Sequence, residues 1–319
     1  MGKKIGKRAM LLGAIAQSIP DIDFVGSFWL NPTEDLLAHR GFTHSILFVI
    51  IITPLLALLA QRLHRPHNIS LKKWMLFFGV EIFVHILLDA FNNYGVGWFE
   101  PFSHARISFN AVYVADPLVT LFPLIAFIAL LVLDRWNRNR KYWWRMAIII
   151  CSLYLGYSLI NKFNIDRDAK RAFVEQHIPH DRYFTTPAPL QNLLWMVVAG
   201  NDSGYYVGFR SLLDTKPDIN FQYFPRNDHL LDSLRNHEEV GNLIRFSKGF
   251  YTVEKLSDTL VFNDLRFGQI IGWHDTKEKF VFHYYLQHPE NNLLVVQRGR
   301  FAKWDKKVFR SFIQRIKGN

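Results

Sequence analysis

Four apolar runs close together constrain this chain more than any other feature. Residues 45–60 (SILFVIIITPLLALLA), 117–133 (PLVTLFPLIAFIALLVL) and 146–161 (MAIIICSLYLGYSLIN) carry no charge. Residues 74–91 carry only Glu81, His85 and Asp89 among apolar neighbours. Each approaches the ~20 residues a helix needs to cross the hydrocarbon core. One such run is compatible with a buried core helix, but four in succession predict a multi-pass helical membrane domain. From 162 to 319 charges recur throughout, as in a water-facing domain. The overall hydrophobic content of 50% averages over these two halves.

Loop charges predict the orientation. Residues 61–73 hold Arg62, Arg65, Lys72 and Lys73, and 134–145 hold Arg135, Arg138, Arg140, Lys141 and Arg145. Both loops read as cytoplasmic. The loop 92–116 has only Arg106 and reads as external. Alternation then places 20–44 and 162–319 outside. Lys3, Lys4, Lys7 and Arg8 mark a cytoplasmic start, and 9–19 is apolar but too short to span alone. This topology absorbs much of the net charge of +11, and no nucleic-acid-binding motif is present. The single cysteine, Cys151, excludes an intrachain disulfide and a cysteine-based zinc site.

Ionisable residues distant in sequence converge on the external side of this topology. Asp21 and Asp23 lie in Pro-Asp-Ile-Asp, and His39 and His44 bracket Arg40-Gly41-Phe42-Thr43. His85 and Asp89 are four apart on a predicted helix and share a face. Imidazole and carboxylate are both ligands for divalent metals. A polar helix–helix contact explains the His85–Asp89 pair equally well, and a turn explains Asp21 and Asp23. Glu81, one turn deeper, is expected to accept from the second nitrogen of His85. Thr43 is expected to cap the first long span, with Gly41 turning the chain so that His39 and His44 clamp one ion. Asp116-Pro117 reads first as a helix start, and Asn31-Pro32-Thr33-Glu34 as a capping box opening a helix at 32–38. Arg40 and Arg106 are candidates for an anionic substrate group or for headgroup and backbone anchoring.

The segments PDID, HRGFTHS and HILLDAFNNYG, in that order, resemble the predicted membrane-bound metal-dependent hydrolases, the YdjM-like family. KKIGKRAMLLGAIAQSIPDIDF, EPFSHARISFN, ADPLVTL, PAPLQNLLW, DSGYYVGF and VFNDLRFG extend the resemblance over nearly the whole chain. It implies a multi-pass inner-membrane protein with a divalent metal: zinc, or else manganese, iron or magnesium. The matching positions give Asp21, Asp23, His39, His44, His85 and Asp89 as metal ligands. Asp23, Glu81 and Arg40 are expected to serve catalysis. The substrate expected is a small molecule or lipid, such as a phosphoester, met at the outer face of the bilayer. A structural or sensory metal site in a non-enzymatic membrane protein is the alternative. Family members begin with a further helix before the KKIG segment. This chain starts almost at KKIG, which implies a lost helix and ligand or a misplaced start.

The expected organisation is a helical membrane domain over 1–161 carrying the metal site, then a small extracytoplasmic α+β domain over 162–319. Residues 166–177 read as a helix leaving the membrane. LLWMVVAG, GYYVGFRSLL, LVFNDLRFGQIIGW and KFVFHYYLQ read as strands separated by Gly, Asn and Asp turns, and 305–317 as a closing helix. His229, His237, His274, His283 and His288 have no ligand spacing.

Overall fold

The computed structural model describes residues 2–64, 68–234, 237–256, 259–287, 292, 301 and 303–318. Arg65, His67 and His288 lie outside the described residues. The chain divides into two compact units. The first comprises 1–29, 38–109 and 114–157, and the second 30–37, 110–113 and 158–319.

The first unit opens with α1 (Gly2–Ile5) and α2 (Lys7–Ser18). A 3-10 helix, Pro20–Phe28, follows at a bend of 53°. Pro20 cannot continue an α-helical ladder, so the chain turns where the Asp21/Asp23 pair begins. The helix α3 (Pro32–Ala38), whose residues up to Leu37 belong to the second unit, precedes the first histidine in the chain. Its capping box forms as the sequence predicts: Asn31 Oδ1 accepts from the Thr33 and Glu34 amides, and Glu34 Oε2 from the Asn31 amide. The hairpin α4 (Ile46–Leu63) and α5 (Leu71–Asp89) brings the start of one helix beside the end of the other. The two approach closely where Gly79 faces Thr53, since a Cβ on Gly79 would stand only 3.4 Å from Thr53 Cγ2. Ala57, Ala60, Trp74, Phe78 and Ile82 fill the seam.

The helix α6 (Pro117–Val132) starts at Asp116, which accepts from the Leu118 amide and from the Tyr154 hydroxyl. The run at 146–161 and the helix expected at 166–177 are parts of one continuous helix, α7 (Arg140–Glu175). By length and composition α4 and α7 can each cross a bilayer, and the bent pair Lys7–Ser18 and Pro20–Phe28 makes a third if it counts as one broken span. The apolar α6 is shorter, and α5 carries Lys72, Lys73, Glu81 and Asp89. Among the described residues two or three candidate spans therefore stand where the sequence predicts four. Their apolar faces are exposed, with Ile50, Leu55, Leu59, Ile149, Leu153 and Ile160 among the side chains presented outward.

In the second unit β1 (Arg182–Pro187), β2 (Leu194–Gly200), β3 (Gly204–Ser211) and β4 (Gln222–Pro225) form an antiparallel sheet in sequence order. Trp195, Val197 and Ala199 of β2 pack on Ile165, Ala169 and Phe173 of α7, while Met196 and Val198 face Leu265 and Phe280. Burial on both faces explains why LLWMVVAG does not alternate in polarity. A short α8 (Glu238–Phe246) leads to a second antiparallel sheet of β5 (Tyr251–Leu256), β6 (Thr259–Gln269) and β7 (Phe280–Tyr285). The closing helix α9 (Lys306–Ile316) is capped by Asp305, which accepts from the Val308 amide.

The loop after α5 fastens the region between α3 and α4. The Gly97 amide donates to Arg40 O, the Ile46 amide donates to Trp98 O, and Trp98 Nε1 donates to Ile86 O. A Cβ on Gly97 would meet Glu100 Cγ at 2.7 Å and the carbonyls of Gly41 and Arg40 at 3.3 and 3.4 Å. Gly97→Ala is expected to cost about 1–3 kcal/mol, as overpacking does. Thermal unfolding in detergent measures this, and an unchanged midpoint would show that the loop does not hold the turn.

Candidate metal centre

The antiparallel hairpin does most of the assembly. His44 immediately precedes α4, His85 and Asp89 end α5, and Asp21 opens the 3-10 helix after the bend. Four donor atoms meet there: Asp21 Oδ1, His44 Nε2, His85 Nε2 and Asp89 Oδ2, all within 4.8 Å of one another. His44 Nε2 lies 3.5 Å from Asp21 Oδ1, 3.4 Å from Asp89 Oδ2 and 3.3 Å from His85 Nε2. His85 Nε2 lies 3.4 Å from Asp21 Oδ1 and 3.6 Å from Asp89 Oδ2. These five edges are near 3.4 Å, and a regular tetrahedron of that edge has its centre about 2.1 Å from each corner, within the range of zinc–nitrogen and zinc–oxygen bonds.

Asp89 Oδ2 is buried and accepts no hydrogen bond. Arg40 Nε stands 3.2 Å away, but it too is buried without a hydrogen bond, so the pair is a charge contact with its N–H misdirected. A buried carboxylate oxygen lacking a donor is costly unless a cation faces it. Together with two convergent imidazole nitrogens, it makes the set fit a divalent metal.

Asp23 organises the neighbouring turn. Its Oδ2 accepts from the Arg40 amide at 2.7 Å and from Thr43 Oγ1 at 3.3 Å. It also lies 3.3 Å from His44 Nδ1, while Oδ1 is 3.3 Å from His39 Nδ1. Thr43 Oγ1 is 3.1 Å from His44 Nδ1. With Nδ1 donating to this side, His44 freed of its second proton would direct its Nε2 lone pair at the cluster. Burial pushes the His44 imidazole down, but the carboxylates of Asp21, Asp23 and Asp89 beside it outweigh that and raise the group to about 10.

Several expected roles change. Asp23 and His39 stand outside the group of four, and the ring centroids of His39 and His44 are 6.4 Å apart. Asp23 lies against His39 Nδ1, and His39 does not join His44 in the group of four. The left-handed residue in the turn is Arg40 (φ 58°), while Gly41 has φ −86°. Thr43 is not the cap of α4: Ser45 Oγ accepts from the Phe48 amide. Glu81 accepts from Gln17 Nε2 at 3.0 Å because it faces α2 across Gly13, turned from His85. Arg40 is engaged by Asp89, by Asn92 Oδ1 at 2.9 Å and by the Tyr94 ring, leaving little of it for a substrate. Arg106 Nη2 donates to His39 O and anchors the loop. Asn92 and Tyr94 were missed from sequence, although both lie in the HILLDAFNNYG segment that follows the paired ligands.

Inner membrane protein YbcI of Escherichia coli (strain K12) is 32% identical over 106 residues, 33% of this chain. The chain spans 60% of the length of YbcI. Uncharacterized protein YfhP of Bacillus subtilis (strain 168) is 26% identical over 275 residues, 81% of this chain and 77% of that protein. No solved structure matches the chain. A family model described as YdjM inner membrane protein matches residues 1–165, which contain every residue of the cluster. With more than half of its length matched, and with apolar helices exposed for contact with lipid, the chain belongs to the YdjM inner membrane protein family.

Proposed function

We propose that this protein is a metal-dependent hydrolase of the inner membrane, working at the external end of its helices on a phosphoester or lipid-derived substrate. The observation that carries this reading is the four-donor set with one accessible corner. The Asp21 side chain is 51% exposed, whereas that of His44 is fully buried. Two imidazoles with two carboxylates suit zinc better than magnesium or calcium, which prefer oxygen alone. A divalent cation held by Asp21, His44, His85 and Asp89 would supply Lewis-acid activation of water and of a phosphoryl or carbonyl oxygen. Asp23 orients His44, Arg40 balances Asp89, and the exposed Asp21 side admits substrate from water. The domain division at 161/162, with the second part extracytoplasmic, belongs to the same reading. Lys4 Nζ on Asn68 O, and Gly6 beside Arg135, gather the basic segments at the end opposite the cluster, as the positive-inside rule requires. The alternative, a structural or sensory metal, is favoured by one feature: four protein donors can close a site by themselves.

Metal titration of the detergent-purified protein tests the centre. Ala at His44, His85 or Asp89 is expected to abolish stoichiometric zinc binding. Asp23→Asn is expected to weaken it ~10–100-fold, and His39→Ala to leave it nearly intact. Because His44 is held protonated up to about 10, binding must displace that proton. Apparent affinity should rise about tenfold per pH unit from pH 7 to 8. Retained binding in the His44 and His85 variants, or an affinity flat with pH, sinks the assignment.

Hydrolysis of p-nitrophenyl phosphodiesters and of phospholipid vesicles by the zinc-loaded protein decides between the two readings. The enzyme reading expects turnover lost with a chelator, restored by zinc and reduced in Asp21→Asn. If zinc binds yet its removal lowers only the thermal midpoint, the structural reading stands.

Orientation is tested with single cysteines at Asn137 and Lys255, with Cys151 replaced by alanine. An impermeant thiol reagent on intact cells should label position 255 and reach 137 only after permeabilisation. The reverse pattern would place the cluster on the cytoplasmic side.

A further inference from the structure

We propose that the cleft between α2, α5, α6 and α7 is a binding site for an anionic phospholipid drawn from the leaflet that faces residues 134–145. This inference is independent of the hydrolase reading and concerns the other end of the same helices. The cleft encloses about 1540 Å³. Phe77, Leu124, Phe127, Leu130 and Ile148 supply apolar walls that match an acyl chain.

Polarity is segregated along its length. Arg135, Arg138 and Lys141 line the mouth together with Trp136 and Trp144. The last polar lining residues on α2 and α5 are Gln17 and Glu81, whose mutual hydrogen bond closes the inner end. Chain direction orders these two ends. The start of α2 lies against the 134–138 segment, with Gly6 next to Arg135, and Gln17 comes three turns later.

The cations at the mouth are uncommitted. Arg140 is spent on the carbonyls of Leu130 and Leu133 and on Met10 Sδ. Arg135 and Lys141 lie over the Trp136 and Tyr142 rings, and no carboxylate forms an ion pair with Arg135, Arg138 or Lys141 among the described residues. Asp134, the nearest acid in sequence, caps the Trp136 amide. Exposed arginines in a loop are ordinarily just solvated. Here they rim an apolar cavity with tryptophans at the same level, the arrangement that pairs a phosphate with an acyl chain.

Native mass spectrometry of the full chain, released from nanodiscs of mixed phosphatidylglycerol and phosphatidylcholine, provides the test. The wild type should retain phosphatidylglycerol at least about tenfold over phosphatidylcholine. Replacing Arg135, Arg138 and Lys141 together with Gln should remove the preference. Ala14→Phe fills the cleft from an exposed position of α2 and leaves the cations intact, so it should lower retention of the lipid itself. Unchanged retention in Ala14→Phe would reduce the site to a surface charge patch and overturn the proposal. So would displacement by millimolar inorganic phosphate, a wild type without preference, or a second protein chain occupying the cleft in place of lipid. The circular-dichroism spectrum in detergent, measured in parallel, should be the same in all variants and shows that each is folded.

Discussion

A carboxylate at the end of an apolar helix sets the terms for the rest of the membrane half. Asp89 closes α5 with one oxygen buried and accepting no hydrogen bond. Such a group is tolerable only with positive charge beside it. Asp21 and Asp23 lie in the same neighbourhood, so three negative charges gather at one end of the helices. Arg40 and a protonated His44 return two of them. A divalent cation in place of that proton brings the balance to neutrality. The local charge therefore calls for a cation, and the distances among the four donors fit one.

The surroundings hold this concentration of charge in place. Asp23 receives the amide of a left-handed Arg40, and the Arg40 carbonyl receives the Gly97 amide. A non-glycine residue in that conformation costs of order 1–3 kcal/mol and persists where its surroundings over-determine it. Here both backbone groups and the guanidinium are bound. The strain has a consequence for placement, since it aims the guanidinium at Asp89 and Asn92 while the following turn aims His44 at the cluster. The loop 92–109 acts as a clasp across the ends of both helices of the hairpin.

Much of this was legible in the sequence for simple reasons. Long apolar runs identify helices whatever they pack against, and Asn31, Asp116 and Asp305 cap the helices that their patterns announce. His85 and Asp89 share a face by helical period alone. The failures came where an irregular turn decides. Nothing in HRGFTH says that Arg40 rather than Gly41 takes the positive φ, or that Asp23 reaches across to occupy His39. Glu81 misled because helical spacing places it on the side of His85, whereas packing against Gly13 of α2 offers Gln17 as a nearer partner. The span count differs for a related reason: α5 is long enough to cross but carries four charges, which neighbours must satisfy, so it is not among the candidate spans of the described residues.

The exposure of Asp21 gives the cluster an asymmetry with functional content. His44 is buried completely, and His85 and Asp89 largely so, which fixes three donors against movement. Asp21 comes from the other side of a 53° bend and is half in water. A site meant only to staple helices gains from burying every donor, because water competes for the ion at any exposed corner. A site meant to work on a substrate needs one donor that can yield or one edge that can be approached. The bend at Pro20 provides such a donor, since Asp21 belongs to a short 3-10 helix while its partners are seated at the ends of long packed helices. That difference in anchorage is the physical ground for reading the centre as catalytic.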